Sequence, residues 1–87
     1  MTKIYIYCLF DISDQLLGVY SSIKAVHRDA LRHTNRGHGS VHIVTENNAQ
    51  VATLTGLRNI FKGKCDCDVK YRTQNTLVRI YKTKLKE

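Results

Sequence analysis

The chain has 87 residues, 43% of them hydrophobic, and 14 Lys and Arg against 7 Asp and Glu give a formal net charge of +7 at pH 7. A chain of this length supports one small core and leaves no room for a second. No apolar run approaches the roughly 20 residues of a bilayer-spanning helix, and no proline-rich, repetitive or highly polar stretch reads as linker or disordered tail.

So large a positive excess on so small a surface favours anionic partners and speeds encounter with them. Nucleic acid is the first such partner to consider, with an acidic protein surface behind it. Three cysteines, an odd number, fit a reducing compartment better than a disulfide framework, and the expected location is cytoplasmic. The opening MTKIYIYCLF carries one Lys and an apolar run, but Asp11 ends it and no small-residue cleavage site follows, so it reads as a strand and not as a leader.

In chain order, residues 3 to 10 alternate with period two, the pattern of a strand. Ile4, Ile6, Cys8 and Phe10 share one face; Lys3, Tyr5, Tyr7 and Leu9 share the other. The first set is the greasier, which predicts that it faces the core with Cys8 as a small buried hydrophobe. Asp11-Ile12-Ser13-Asp14 supplies turn chemistry, and Leu16 to Tyr20 returns as the second strand of a hairpin. Ser21 or Ser22 caps a helix whose apolar stripe is Ile23, Val26, Ala30 and Leu31. Asn35, Gly37 and Gly39 end it in a loop.

Val41 to Thr45 reads as a short strand and Glu46-Asn47-Asn48 as a turn. Thr53 caps a shorter helix with Leu54, Leu57, Ile60 and Phe61 inward, stopped by Gly63, with Arg58, Lys62 and Lys64 near the negative end of its dipole. Cys67, Val69 and Tyr71 alternate with Asp66, Asp68, Lys70 and Arg72 in another strand. Thr73-Gln74-Asn75 turns the chain into a last strand, Leu77 to Leu85. The predicted architecture is a single α+β domain over residues 1–87, in ββα-βα-ββ order, with a mainly antiparallel sheet and two helices on one face.

Lys24, Arg28 and Arg32 lie at every fourth residue and form a ridge on one side of the first helix, where they can follow a line of phosphates. Arg36 and His38 extend the ridge into the glycine loop. A second basic area is the tail, with Arg79, Lys82 and Lys84 interleaved with Tyr81. Tyr5 and Tyr7, on the less greasy face of the first strand, are placed to stack on unpaired bases, as open sheets do in several RNA-binding folds.

His27, His33, His38 and His42 with Cys65 and Cys67 include zinc-ligand types, but no pair repeats at ligand spacing, so no metal or other cofactor is expected. His27 or His33 near Asp29, and His38 near Ser40, are the only acid–base or nucleophile pairings, and neither comes with an oxyanion site. The expectation is a non-enzymatic protein.

The run IYIYCLFDISDQLLGVYSSIKAVHRDAL resembles the strand–turn–strand–helix opening of small bacteriophage accessory proteins. It is also similar to the opening of the DNA-binding repeat modules of intron-encoded homing endonucleases, in which G-x-[FY]-x-S-[IL]-x-x-A leads into a helix. Gly18, Tyr20, Ser22 and Ile23 carry the match, with Val26 where that helix packs. Beyond Leu31 the chain enters a glycine-broken segment where those modules have a second helix. The resemblance implies a phage or mobile-element origin.

Two functions follow as expectations. One is a basic nucleic-acid-binding module with Lys24, Arg28, Arg32 and Arg36 as the main phosphate contacts. The other is a phage-type effector, anti-CRISPR-like, that inhibits a host defence or nucleic-acid-processing protein. An uncovered edge strand also makes a homodimer an expectation.

Overall fold

The structure is a computed structural model that describes residues 4–34 and 40–85. It is an α+β fold in the expected order, with one additional short strand between the helices. The elements are β1 (Tyr5–Phe10), β2 (Leu16–Tyr20), α1 (Ile23–Thr34), β3 (His42–Val44), β4 (Ala49–Val51), α2 (Leu54–Phe61), β5 (Cys67–Arg72) and β6 (Leu77–Lys84). The strands form one antiparallel six-stranded sheet in the order β2-β1-β6-β5-β3-β4.

Local chemistry explains the boundaries. In the β1–β2 turn one Asp11 carboxylate oxygen accepts from the Ser13 and Gln15 amides at 2.8 and 2.9 Å, and Asp14 adopts φ 62°. Asp tolerates that left-handed conformation better than most residues. Ser22 caps α1 by accepting from the Ala25 amide at 3.1 Å, and Thr53 caps α2 by accepting from Gly56 at 3.0 Å. Gly63, at φ 75°, lets the chain leave α2 through the left-handed conformation that strains residues with a side chain.

Both helices pack on one face of the sheet. Val26 and Ala30 of α1, and Leu57 and Phe61 of α2, join Tyr7, Leu9, Ile43, Val69, Tyr71, Val78 and Ile80 in the core. Each large side chain removed from water here contributes roughly 1.5–3 kcal/mol before the entropy of ordering is counted.

The register settles which face of β1 is which, and it corrects the expectation. Leu9 pairs with Ile80 and Tyr7 with Lys82, so Tyr5, Tyr7 and Leu9 point toward the helices. Ile4, Ile6, Cys8 and Phe10 lie on the other face, which no helix covers, and Cys8 is only partly buried there. Of the cysteines, Cys67 is the one packed against the core. The cause is composition. Both faces of β1 are apolar, so alternation separates the two faces without fixing which one the helices cover.

Candidate functional site

Each expected contact residue has a definite place, apart from Arg36 and His38, which lie outside the described residues. Lys24, Arg28 and Arg32 are exposed on α1, and the Arg28 and Arg32 side chains retain 68% and 70% of their accessible surface. Between the two arginines sits Asp29. Its Oδ1 lies 3.7 Å from Arg28 Nε and 3.5 Å from Arg32 Nη2, while its Oδ2 accepts a 2.7 Å hydrogen bond from the Tyr20 hydroxyl. These ion pairs are loose, and exposed pairs of this kind contribute little. The Tyr20 bond, helped by both arginines and His33, holds the Asp29 carboxyl below the usual carboxylate range. Burial and the same bond push the Tyr20 hydroxyl up to about 12, so it stays a donor.

Gly18 makes room for this arrangement. A Cβ there would stand 2.6 Å from the Tyr20 hydroxyl, because the Tyr20 ring folds back over its neighbour on the same face of β2. The Gly18-x-Tyr20 spacing thus anchors the edge strand to the helix that carries the ridge.

The basic tail does not act as a unit. Lys82 is 6% exposed: its Nζ donates to the Phe61 carbonyl at 2.8 Å and lies 4.4 Å from the centre of the Tyr5 ring. It adds a second bond to the Phe61 carbonyl, which also accepts from the Lys64 amide at 3.2 Å, and at 6% exposure it is a core residue and not a phosphate contact. Tyr7 is buried against Phe61, their ring centres 5.8 Å apart, and presents no ring to a base. Tyr5 is half-buried beneath the Lys82 ammonium, with its hydroxyl 3.6 Å from Cys65 Sγ. The stacking assignment of Tyr7 is therefore corrected, while Tyr5 stays partly exposed. Arg79 lies over the Phe10 ring at 4.6 Å and within 3.5 Å of Asp14 and 3.3 Å of Asp68. Lys84 is exposed at the end of β6.

Of the two histidines that flank Asp29 in sequence, His33 acts on its carboxyl through charge alone and His27 turns away from it. His27 Nδ1 meets the Tyr71 hydroxyl at 2.6 Å instead of Asp29. Burial lowers the His27 pKa and raises that of Tyr71, which keeps both neutral. Among the described residues no group of three or more His, Cys, Asp or Glu is placed to hold a metal ion. A groove of about 680 Å³ between the end of α2, the β3–β4 turn and β5 is lined by Glu46, Asn59, Lys64, Cys67, Asp68 and Lys70 among others, charges of both signs.

What the structure brings together is charge of one sign in one layer. Residues 23–34 and 54–64, which form the helices and the turn after α2, carry Lys24, Arg28, Arg32, Arg58, Lys62 and Lys64 with Asp29 as their one acid. Among the described residues Lys24, Arg58, Lys62 and Lys64 make no ion pair, and the same holds for Lys70, Arg72 and Lys84 of the sheet, where Arg79 is held by two carboxylates. The α2 cations are visible in the sequence as helix-end residues, and the packing of α2 beside α1 puts the two helices in one layer. No helix among the described residues is long and apolar enough to cross a membrane. Comparisons with protein-family models, curated proteins and solved structures found no match.

Proposed function

We propose that the protein binds nucleic acid through its helical layer, with Lys24, Arg28 and Arg32 on α1 and Arg58, Lys62 and Lys64 at the end of α2 as phosphate contacts. The observation that carries this reading is the segregation of charge: six cations against one acid in the segments that cover one face of the sheet. Phosphate contacts need neither a fixed donor array nor a pocket, and contacts from helices position a protein on a backbone without reading its sequence. Binding of this kind is non-catalytic and needs no cofactor. A phage or mobile-element accessory role is consistent with a small basic domain.

The test is fluorescence anisotropy with labelled duplex and single-stranded oligonucleotides across a salt series. For duplex DNA the slope of log K against log salt should be about −0.9 per phosphate neutralised, and replacing Lys24, Arg28 and Arg32 together by Ala should reduce it by up to ~2.7. An unchanged slope in a folded triple variant, or no binding at low salt, rejects the proposal. A second reading, an effector that docks on a host defence or nucleic-acid-processing protein, draws on the exposed apolar side chains of the sheet's uncovered face. Its salt dependence would be much shallower.

A further inference from the structure

An antiparallel sheet covered on one side commonly turns polar residues to water on the other. This sheet does not. Of the six large hydrophobic residues with substantial exposure among the described residues, Ile4 (48%), Leu16 (52%), Val19 (55%), Val51 (59%) and Leu85 (43%) fall on the uncovered face by strand alternation and register. Ile6, Cys8, Phe10 and Tyr81 lie half-buried among them. An apolar area of this kind marks an interaction surface.

The charges on the same face indicate what covers it. Along β5 the outward row runs Asp66, Asp68, Lys70, Arg72, acidic at one end and basic at the other. We propose that the uncovered face is the interface of a symmetric homodimer, whose twofold axis lies in the interface plane, perpendicular to the strands, between residues 68 and 70. That operation lays β5 antiparallel on its copy, so that Asp68 meets Lys70 and Asp66 meets Arg72, each pair formed twice.

The register carries the same axis across the sheet. Asp68 pairs with Tyr81 and Lys70 with Arg79, so it crosses β6 between those two residues. Cys8 pairs with Tyr81 and Phe10 with Arg79, so it crosses β1 between Cys8 and Phe10. On β2 it passes Gly18, with Val19 and Leu16 on either side. One operation therefore sets apolar strands on apolar strands, acid on base, and Arg79 against a tyrosine ring, with no like charges opposed along these four strands.

The described charges of this face also balance: Asp14, Asp66 and Asp68 against Lys70, Arg72 and Arg79. The net positive charge resides mainly on the helical layer, which faces outward in both copies, so self-repulsion does not act across the seam. Size fits as well. A standard interface takes ~800 Å² from each partner, about an eighth of the 6039 Å² surface. That is a patch some 32 Å across, and six strands spaced ~4.8 Å apart span about 29 Å.

Sedimentation velocity on the full chain tests this, with circular dichroism to verify folding. A species of twice the 10.0 kDa chain mass is expected at micromolar to submillimolar concentration without nucleic acid. Val19→Asp, at an exposed site, should weaken it by at least about tenfold, as should Asp68→Lys alone or Lys70→Asp alone. The double variant D68K/K70D exchanges the two signs across the axis and should restore the dimer. Four results would overturn the proposal: a monomer throughout, a dimer indifferent to Val19→Asp, failure of the double variant to rescue, or assembly only in the presence of DNA or another protein. The Lys24/Arg28/Arg32 triple variant should still dimerise, so failure of the dimer and failure of nucleic-acid binding are separately visible.

Discussion

Replacing Lys82 by Met distinguishes a buried structural cation from a phosphate contact. The Lys82 ammonium gives one charge-assisted hydrogen bond to the Phe61 carbonyl, a close cation–π contact with Tyr5 at 4.4 Å and a distant one with Phe61 at 5.9 Å. A hydrogen bond to a charged group contributes about 1.5–3 kcal/mol and the ring contact about 0.5–1 kcal/mol. Met keeps a stem of similar length in place and no longer requires an ammonium to be taken out of water, which offsets part of that loss. The net expectation is a variant less stable by about 2 kcal/mol, or a Tm lower by roughly 8–16 °C for a domain of this size. Calorimetry or a thermal melt by circular dichroism reads this directly. Lys84→Met at the exposed end of the same strand should stay within about 0.5 kcal/mol of the parent. The salt slope for DNA should be unchanged in K82M. The reasoning fails if K82M melts like the parent while its salt slope drops by about one unit, because the ammonium would then be meeting phosphate in solution.

Three other outcomes follow from contacts at single residues. Gly18→Ala forces the Tyr20 ring off its position and breaks the bond to Asp29, a loss of about 1–3 kcal/mol in urea unfolding; an unchanged midpoint would show that the ring relocates freely. Gly63→Ala meets no neighbouring atom but must hold φ 75°, so it should cost about 1 kcal/mol from backbone strain alone. His27 has a pKa lowered by burial from its ordinary 6.5, so the unfolded chain binds the proton more readily. Its contribution to stability is therefore complete above pH 6.5 and declines as pH falls from there toward the folded value. His27→Gln should flatten the stability profile in that window, and a profile identical to the parent's would reject the assignment.

Much of the fold is legible in the sequence because local chemistry and periodicity agree. Asp11 and Ser13 announce the first turn, Ser22 and Thr53 the helix starts, and Gly63 the end of α2. Strand β4 escapes the periodicity because Ala49–Val51 is too short to show alternation. The facing of β1 escapes it for a different reason: alternation reveals two faces but not which one is covered, and here the uncovered face is the greasier. Lys82 carries a signal that charge counting overrides. It shares the phase of Val78 and Ile80 on β6, both buried, and that phase places its stem in the core. Of the site, the α1 ridge is readable from spacing, whereas the placing of α2 and its cations in the same layer depends on helix packing. The pairing of Tyr20 with Asp29 joins residues nine apart through a glycine whose purpose appears only when the ring is seen above it.

The adjacency of β1 and β6 at the middle of the sheet sets an order of events for folding. Leu9 reaches its partner Ile80 only after nearly the whole intervening chain has been made, and contacts so distant in sequence slow the search for the native state. Until β6 inserts, the β1–β2 hairpin and the β3–β4–β5 ladder are two half-sheets, each with a raw inner edge and exposed apolar side chains. A translation stop just after β5 would release a product with two sticky borders instead of one closed seam. Such a product should aggregate, whereas supplying the β6 segment as a separate peptide should fill the gap from both sides at once.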